Sequence, residues 1–395
     1  MTSSGRANRE LIKAINQNLL LNILRREGAL SRTQLTEISG LSGGTVSQII
    51  TELLQHQWIL EVGAGEYTGG RRQVPLKLNP TIGYAIGIKV MENRVVCAVT
   101  NFEAHILHYH EATINTDGTP EILCDTLAKI IQAVITSSGF EHHQFLGVGV
   151  GIAGVIYAES GVIHYSPFFG WKDVPLAEML QARIHLTVTV ENDVNTLTLS
   201  EHLFGAGRHH REVVVVTVGR GIGMGMILNG ELYRGFKGGT GELGHIVIDA
   251  KRSQQGLDGT LENIASDPAI LQAYADQSGK SVPDIKTLAN AAINGDEYAE
   301  ALLSMSGDYI GMAIANAINI LAPEMVIISG EGLVAGDYRL TPLLNAMRKH
   351  TFNGLLDHVE IVIEPTTDKA WARGAASLVI SKVFQAPSVD SATLT

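Results

Sequence analysis

The chain has few cysteines, few aromatic residues and no long apolar run. Its 395 residues include 2 cysteines, Cys97 and Cys124, and neither belongs to a C-x-x-C motif. Two cysteines in apolar segments exclude a disulfide framework and are typical of small buried side chains in a reducing compartment. The first ten residues are polar and lack an apolar signal core. These absences predict a cytoplasmic protein without a membrane segment.

The chain as a whole has no excess of positive charge, whereas its first part has one. The formal net charge is −11, which argues against a protein that coats nucleic acid along its whole surface. Residues 1–80 carry nine Lys and Arg against six Asp and Glu, so this segment is positive by three and the remainder carries −14. A basic first segment on an acidic body is typical of a local nucleic-acid module.

Residues 1–80 predict a helix-turn-helix, because apolar residues recur at helical spacing in three segments. Residues that can cap or end a helix separate these segments, namely Gly28, Ser31, Gly40 and Ser42. The inner faces of the second and third helices are predicted to consist of Leu35, Ile38, Val46, Ile49, Ile50, Leu53 and Leu54.

The start of the third helix is the predicted DNA-reading surface. Its outward residues are Gly43, Gly44, Thr45, Ser47 and Gln48. Small side chains let the backbone enter a major groove, and the Gln48 amide can make a bidentate contact to adenine. Two β-like runs, 59–65 and 73–79, flank a Gly-Gly-Arg-Arg tip that resembles the wing of a winged helix. Arg71 and Arg72 at this tip would enter the minor groove.

Arg32, a basic residue of the same segment, completes the predicted DNA-binding set. The alternative interpretation of this segment is a small helical bundle with a solvated Arg-Arg turn. The combination of three helices, a Gly/Arg wing and local positive charge favours DNA binding.

From about residue 82 the pattern becomes that of an α/β protein. Strand-like hairpins followed by helical crossovers occur twice, with long helical segments at 120–137, 296–321 and 370–384. This repetition predicts two lobes with a cleft between them, and such a cleft is the default ligand site.

Five segments resemble the ROK family (repressors, open reading frames, kinases). In chain order they are GGRRQVPLKLN, GVGIAGVIYAESGVIHYSPFFGWKDVPL, VENDVNTLTLSEHLFGAG, GRGIGMGMILNGELYRG and GGTGELGHIVID. The resemblance covers residues 10–380 and is to the family's repressor branch, which includes regulators responsive to N-acetylglucosamine and glucose. It implies a winged helix-turn-helix followed by a two-lobed actin/hexokinase-like, ribonuclease H-like body.

The resemblance also implies a sugar site made of Asn192, Asp193, Glu242, His245 and Glu262. Asp193 matches the position of the family's catalytic base, and Asn192 matches a sugar ligand beside it. Carboxylates, an amide and an imidazole suit sugar hydroxyls because each can share several hydrogen bonds. The alternative interpretation is that these are ordinary loop residues, with His245 a structural histidine.

The nucleotide side departs from the family's kinases. These carry an acidic residue and a Gly-Gly-Thr-Lys turn after the first strand, where this chain has Lys89 and a bulky turn at 91–94. Such a turn cannot bring bare backbone N–H groups against a phosphate, and a lysine cannot anchor magnesium. Glu331 lies in a second glycine-rich segment and would repel phosphates. The chain is therefore predicted not to be an enzyme.

The predicted function is a DNA-binding transcriptional repressor of carbohydrate-use genes whose body senses a sugar or phosphosugar. Two other functions stay open. One is an active sugar kinase with a DNA-binding head, and the other is a regulator whose body has lost its ligand and responds to a transport protein. Many family members also follow the GELGH histidine with three zinc-binding cysteines, and this chain has none there. The expectation is therefore no metal site and no cofactor.

The predicted organisation is a winged helix-turn-helix at 1–80, a two-lobed body at 81–385 and a disordered tail at 386–395. The predicted partners are a double-stranded DNA operator and a sugar or phosphosugar effector. The predicted assembly is a homodimer or homotetramer, in which two heads would read major-groove faces about 34 Å apart. The sequence leaves open which sugar is bound and whether it weakens or strengthens DNA binding.

Overall fold

The computed structural model describes residues 3–63, 73–114, 118–255 and 258–385 of the chain. Its first part contains three helices and a two-stranded antiparallel hairpin. These elements are α1 Ser3–Glu27, α2 Arg32–Ser39, α3 Gly43–Gln55, β1 Ile59–Glu61 and β2 Leu76–Leu78. Residues 10–63 and 73–78 are referred to below as the head. The predicted wing tip and the predicted tail lie outside the described residues.

The helix boundaries in the head follow from capping residues. Ser31 accepts a hydrogen bond from the backbone N–H of Gln34, whose side chain accepts one from the Ser31 N–H, which makes a capping box. Gly40 ends α2 with a left-handed φ of 68°, a conformation that costs glycine little. Ser42 caps α3 by accepting from the Thr45 N–H at 3.1 Å. The caps thus lie where the sequence predicts them.

The inner face of α2 differs from the prediction at one position. The α3 stripe Val46, Ile49, Ile50 and Leu53 is buried, and Leu54 is half-buried. Ile38, however, is 46% exposed, so its prediction as an inner residue is wrong. It lies three positions after the buried Leu35 and hence about 60° around the helix axis, and the short α2 turns it away from the core.

The first lobe is built on a five-stranded sheet with a small three-stranded sheet beside it. Its elements are β3 Tyr84–Val90, β4 Arg94–Thr100, β5 Ile106–Thr113, α4 Pro120–Ser138, β6 Phe145–Ile152, β7 Val155–Tyr157, β8 Val162–Ser166, β9 Trp171–Val174, α5 Leu176–Ile184, β10 Val188–Asn192 and α6 Asp193–Phe204. The strand order of the large sheet is β10-β6-β3-β4-β5.

The second lobe contains a sheet of the same plan and a set of helices. Its elements are β11 Val213–Val218, β12 Ile222–Leu228, β13 Glu231–Leu232, α7 Ala250–Gln254, α8 Leu261–Ala265, α9 Asp267–Ser278, α10 Ile285–Ile293, α11 Glu297–Leu321, β14 Met325–Ser329, α12 Asp337–His350 and β15 Glu360–Glu364. The last helix, α13 Asp368–Phe384, packs on the sheet of the first lobe.

The two large sheets repeat one topology. Strands β3, β4 and β5 form an antiparallel meander, and β6 and β10 then add in parallel on the other side of β3. Strands β11, β12 and β13 form the corresponding meander, and β14 and β15 add in parallel beside β11. The prediction of two related α/β lobes is confirmed.

Helix α13 lies unusually close to the first sheet because glycines face it. A Cβ atom added to Gly87 would lie 2.0 Å from the Ala372 carbonyl oxygen, and one added to Gly149 would lie 1.9 Å from that of Ala375. No side chain fits in these gaps, so the glycines of β3 and β6 allow the helix backbone to rest directly on the strands.

One hydrophobic core joins the head to the body. Buried head residues such as Leu24 and Ile50 belong to the same cluster as Phe102 of the first lobe and Phe384 of α13. The Phe102 ring lies 5.7 Å from the Trp58 ring and 5.4 Å from the Phe384 ring, measured between centroids. Shared apolar burial therefore fixes the head against α13. None of the helices in the described ranges is both long and apolar enough to cross a membrane.

Candidate ligand site and DNA-reading surface

The parallel strands of the first lobe deliver the predicted sugar residues to one edge of the sheet. Lys89 on β3 and Glu191 on β10 are each in register with Gly151 of β6. Asn192 and Asp193 follow directly at the carboxyl end of β10. Ligand sites of α/β proteins form at such carboxyl ends, so the edge is a candidate binding site.

Asn192 has a structural task at this edge. Its Oδ1 accepts hydrogen bonds from the backbone N–H groups of Val194 and Asn195 at 2.9 and 3.2 Å. Its Nδ2 donates to the Gly154 carbonyl at 3.1 Å. Asn192 is therefore the N-cap of α6, which begins at Asp193. Its predicted contact to a sugar stays a prediction.

Asp193 is paired with a buried lysine. Its Oδ1 accepts from the Val194 N–H at 2.9 Å, and its Oδ2 accepts from the Lys89 ammonium. Lys89 and Asp193 are each 8% exposed. The Lys89 Nζ also lies 4.8 Å from the centre of the Trp371 ring, within range of a cation–π interaction. The sequence identifies Lys89 as the replacement of an acid but does not indicate its partner.

A second ion pair, which sequence reasoning missed, joins a buried carboxylate to a partly exposed arginine. Glu191 is 1% exposed, and its Oε2 accepts from the Arg234 Nε at 2.6 Å. Its Oε1 accepts from the Asn192 backbone N–H and the Asn195 Nδ2. An acid inside the apolar strand VTVE is a signal that could have revealed Glu191, since a buried carboxylate needs partners. Nothing comparable marks Arg234, which lies 43 positions further along.

The loop after β13 contributes Glu242 and His245, and helix α8 contributes Glu262. Burial raises the pKa of Glu242; the His245 imidazole opposes this, and the carboxylates of Glu262 and Asp193 add to it. The His245 Nε2 lies 3.8 Å from the Glu242 Oε2, and its side chain is 67% exposed. His245, Glu262 and Asp193 thus each act electrostatically on Glu242, so four of the five predicted residues lie in one neighbourhood.

Glu262 is held on the turn between β11 and β12. Its Oε2 accepts from the Ile222 N–H at 2.9 Å. A Cβ atom added to Gly221 would lie 2.9 Å from this oxygen, and one added to Gly244 would lie 3.0 Å from it. The two glycines therefore make room for the carboxylate between the two loops.

The nucleotide side is occupied by side chains of the protein itself. The Glu92 Oε2 accepts from the Arg220 Nη2 at 2.5 Å, which ties the turn after β3 to the turn after β11. The Glu331 Oε1 accepts from the Arg220 backbone N–H at 3.1 Å, and a Cβ on Gly219 would lie 2.3 Å from this same oxygen. A carboxylate therefore covers the backbone N–H that a phosphate would need.

The acids of the loop after His245, where the resemblance raised the question of zinc, have partners within the protein. Asp249 caps α7 and accepts from the Tyr309 hydroxyl at 3.2 Å. Asp258 accepts from the Asn263 Nδ2 at 2.6 Å. Across the described ranges no three His, Cys, Asp or Glu side chains are grouped so that they could hold a metal ion. The expectation of no zinc and no cofactor stays a prediction.

The predicted DNA-reading residues lie together at the start of α3. Gly43, Gly44, Ser47 and Gln48 are exposed, and Thr45 is half-buried. Arg32 lies at the start of α2, where its Nη2 is 3.2 Å from the Glu61 Oε1. An exposed ion pair of this kind contributes only about 0–1 kcal/mol, so Arg32 can exchange Glu61 for a phosphate. Arg71 and Arg72 lie outside the described residues.

These features define the class of the protein: a two-lobed, sugar-kinase-like body with a helix-turn-helix head. Residues 85–382 match the model of the ROK family. The chain therefore belongs to the ROK family, and the resemblance seen in its motifs is confirmed.

Relatives of known name span nearly the whole chain. The xylose repressor of Bacillus subtilis is 30% identical over 379 residues, which are 95% of this chain and 97% of the relative. The DNA-binding transcriptional dual regulator NagC of Escherichia coli is 29% identical over 392 residues, 96% of each chain.

Two solved structures match different shares of the chain. A ROK family transcriptional regulator, a homolog of the E. coli Mlc protein, has a TM-score of 0.81 at 24% identity and covers 94% of this chain and 97% of its own. A ROK family glucokinase from Streptomyces griseus, solved with glucose and AMPPNP, has a TM-score of 0.62 at 25% identity. It covers 75% of this chain and 99% of its own, so the kinase leaves about a quarter of this chain unmatched.

Proposed function

We propose that the chain is a DNA-binding transcriptional repressor of carbohydrate-use genes that works in the cytoplasm. Its body binds a sugar or phosphosugar effector and does not transfer phosphate from ATP. One observation carries this proposal: both helices that begin at the candidate sugar site end on α1 of the head.

Helix α6 is the first of these connections. It begins at Asp193 in the candidate site and runs for 12 residues, which corresponds to about 18 Å. At its far end the Leu203 carbonyl accepts a hydrogen bond from the Arg25 Nη1 of α1 at 2.5 Å. A cation at a helix C-terminus is favourable because the free carbonyls there carry partial negative charge. Arg25 therefore joins the head to the helix that carries Asp193.

Helix α13 is the second connection. Its Trp371 ring lies against the Lys89 ammonium, the partner of Asp193. At its other end the Asn18 side chain donates to the Val383 carbonyl at 3.0 Å, and the Arg25 guanidinium lies 5.4 Å from the Phe384 ring. A ligand that shifts Asp193 or Lys89 would thus move elements that hold α1.

Such coupling requires that the effector bind two arrangements of the protein with different affinity. We propose a homodimer or homotetramer in which sugar binding changes the angle between two heads and weakens their grip on a pseudo-palindromic operator. The named relatives support a sugar effector. They include a xylose repressor and NagC at nearly equal identity, so similarity alone does not choose the sugar.

The proposal is tested by selecting bound fragments from a random DNA library and titrating the best one by fluorescence anisotropy. Gln48→Ala should weaken this binding by about 1–3 kcal/mol, because it removes a base contact. A sugar or phosphosugar should lower DNA affinity at least tenfold. Absence of specific DNA binding, or indifference to every sugar and phosphosugar, would contradict the proposal.

Arg25 provides a variant that isolates the coupling. Arg25→Met should retain sugar affinity yet reduce the effect of the sugar on DNA binding, because the link to Leu203 is lost. Arg26→Met is the matched control, since the Arg26 side chain is exposed and pairs with its neighbour Glu27 at 2.6 Å. An Arg25 variant with an unchanged sugar response would remove this coupling route.

The kinase alternative is tested separately with ATP, magnesium and a hexose panel. The contacts of Glu331 and Glu92 with Arg220 lead us to expect no turnover. A kcat of about 1–10³ s⁻¹, the ordinary range of enzymes, would favour the kinase.

A further inference from the structure

The proposed function leaves two chemical classes of effector, a neutral sugar and a phosphosugar. The charges around the candidate site bear on this choice. Lys89 and Arg234 are basic side chains at the candidate sugar site, and each is already in an ion pair with a carboxylate. The pairs are Lys89 with Asp193 and Arg234 with Glu191.

Two further carboxylates of this site form no ion pair with a Lys or Arg of the described residues. Glu262 accepts the backbone N–H of Ile222. Glu242 has the His245 imidazole at 3.8 Å. The site therefore holds more negative than positive groups, and even a protonated His245 would not balance them. The nearby Lys237 is exposed and lies over the rings of Tyr157 and Phe236 at the rim.

A bound phosphate group would lie among more negative than positive side chains. To gain a buried cation it would have to take Lys89 from Asp193, and the carboxylate would then be buried without a counter-ion. Leaving one partner of a buried pair alone is strongly unfavourable. A neutral hydroxyl meets no such obstacle, because each carboxylate oxygen has a second lone pair for it.

We propose that the effector is a neutral, unphosphorylated sugar and that Lys89 is a positioning residue for it. Lys89 holds the Asp193 carboxylate in one orientation and cancels its charge, so that a sugar hydroxyl can be accepted without burying net charge. The Trp371 ring fixes the ammonium from the other side. This proposal rests on the proposed function, since it concerns the class of ligand at the same site.

The test is isothermal titration of the full chain with xylose, glucose and N-acetylglucosamine and with the phosphate ester of each. The expected result is that one neutral sugar binds and that its phosphate ester binds at least tenfold more weakly. A phosphate ester that binds more tightly than its parent sugar would overturn this inference alone and leave the proposed repressor intact. Failure of every compound to bind would overturn both.

Variants of the ion pair test the role of Lys89. Lys89→Met should weaken binding of the neutral sugar at least tenfold, whereas Lys89→Arg should restore part of the loss. The double variant Lys89→Met/Asp193→Asn should bind no worse than the weaker single variant, because the two residues act as a unit. Thermal unfolding without ligand checks that each variant is folded. Lys89→Met with wild-type affinity, or additive losses in the double variant, would contradict the positioning role.

Discussion

The two ends of the cleft contain the same kinds of side chain but use them differently. At the predicted sugar end, Asp193 accepts a hydrogen bond from Lys89, and Glu262 accepts one from the Ile222 N–H. At the predicted nucleotide end, Glu92 accepts from the Arg220 side chain, and Glu331 accepts from the Arg220 backbone N–H. Under the proposed function, one half of the kinase-like cleft is kept for recognition and the other is closed by internal charge pairing.

The largest expected effect comes from removing the central carboxylate of the sugar end. Asp193→Ala leaves Lys89 buried without its partner, so we expect a loss of about 3–5 kcal/mol in the free energy of unfolding. The response to sugar should disappear as well. Glu92→Gln is the matched change at the nucleotide end, where the exposed pair with Arg220 contributes at most about 1 kcal/mol. Urea unfolding and sugar titration measure both, and equal losses for the two variants would refute the comparison.

A sharper test uses two carboxylates that accept from the same turn. Glu262 accepts from the Ile222 N–H at 2.9 Å, and Glu331 accepts from the Arg220 N–H at 3.1 Å. Glu262→Gln should weaken sugar binding at least tenfold, whereas Glu331→Gln should change it less than twofold. Each substitution should alter stability by about 1–3 kcal/mol, since each weakens a charged hydrogen bond. Isothermal titration that finds both variants equally impaired would show that the two ends are not separate.

The smallest expected effect is a pH dependence of stability that comes from His202, on the helix that connects the candidate site to the head. Burial and, to a smaller extent, the Arg25 charge lower the pKa of His202, near the end of α6, to about 4. The Nδ1 of His202 is buried without a hydrogen-bond partner among the described residues. Protonation therefore favours the unfolded chain, in which the imidazole has its ordinary pKa of about 6.5.

The stability that depends on neutral His202 is fully present above about pH 6.5 and is lost as the pH falls towards 4. We expect a loss of about 1–2 kcal/mol at pH 5, which His202→Gln should reduce. Thermal unfolding at pH 7.5 and 5 measures the difference. His209, which is exposed and lies seven positions further along, provides the control, because His209→Gln should leave the pH dependence unchanged. An identical pH profile for the His202 variant and wild type would contradict this account.

Much of the fold could be predicted because residue patterns along the chain agree with the burial and the helix ends of the folded structure. Ser31, Gly40 and Ser42 set helix ends in the head through caps that involve only neighbouring residues. The apolar runs of β3, β6 and β11 are buried on both faces and could not be solvent-exposed strands. The small sheet of β7, β8 and β9 was missed, because its strands are short and only partly buried.

The sequence predicted residues of the candidate site but not which charged residues pair with them. The family motifs, met in the expected order along the chain, are enough to make Asp193, Glu242 and Glu262 candidates. The partner of a charged residue is set by contacts across the fold: Lys89 and Asp193 are 104 positions apart. No local pattern carries that information.

By itself, the amino-acid sequence determined the helices of the head, the repeated α/β plan and the loss of the glycine-rich phosphate turn, since these depend on residue spacing and local backbone preference. Only the tertiary structure decided that Lys89 neutralises Asp193, that Glu331 covers the nucleotide turn and that α6 and α13 both end on the head. Electrostatic pairing and shared burial depend on distances in space, and those distances exist only once the two lobes and the head are packed together.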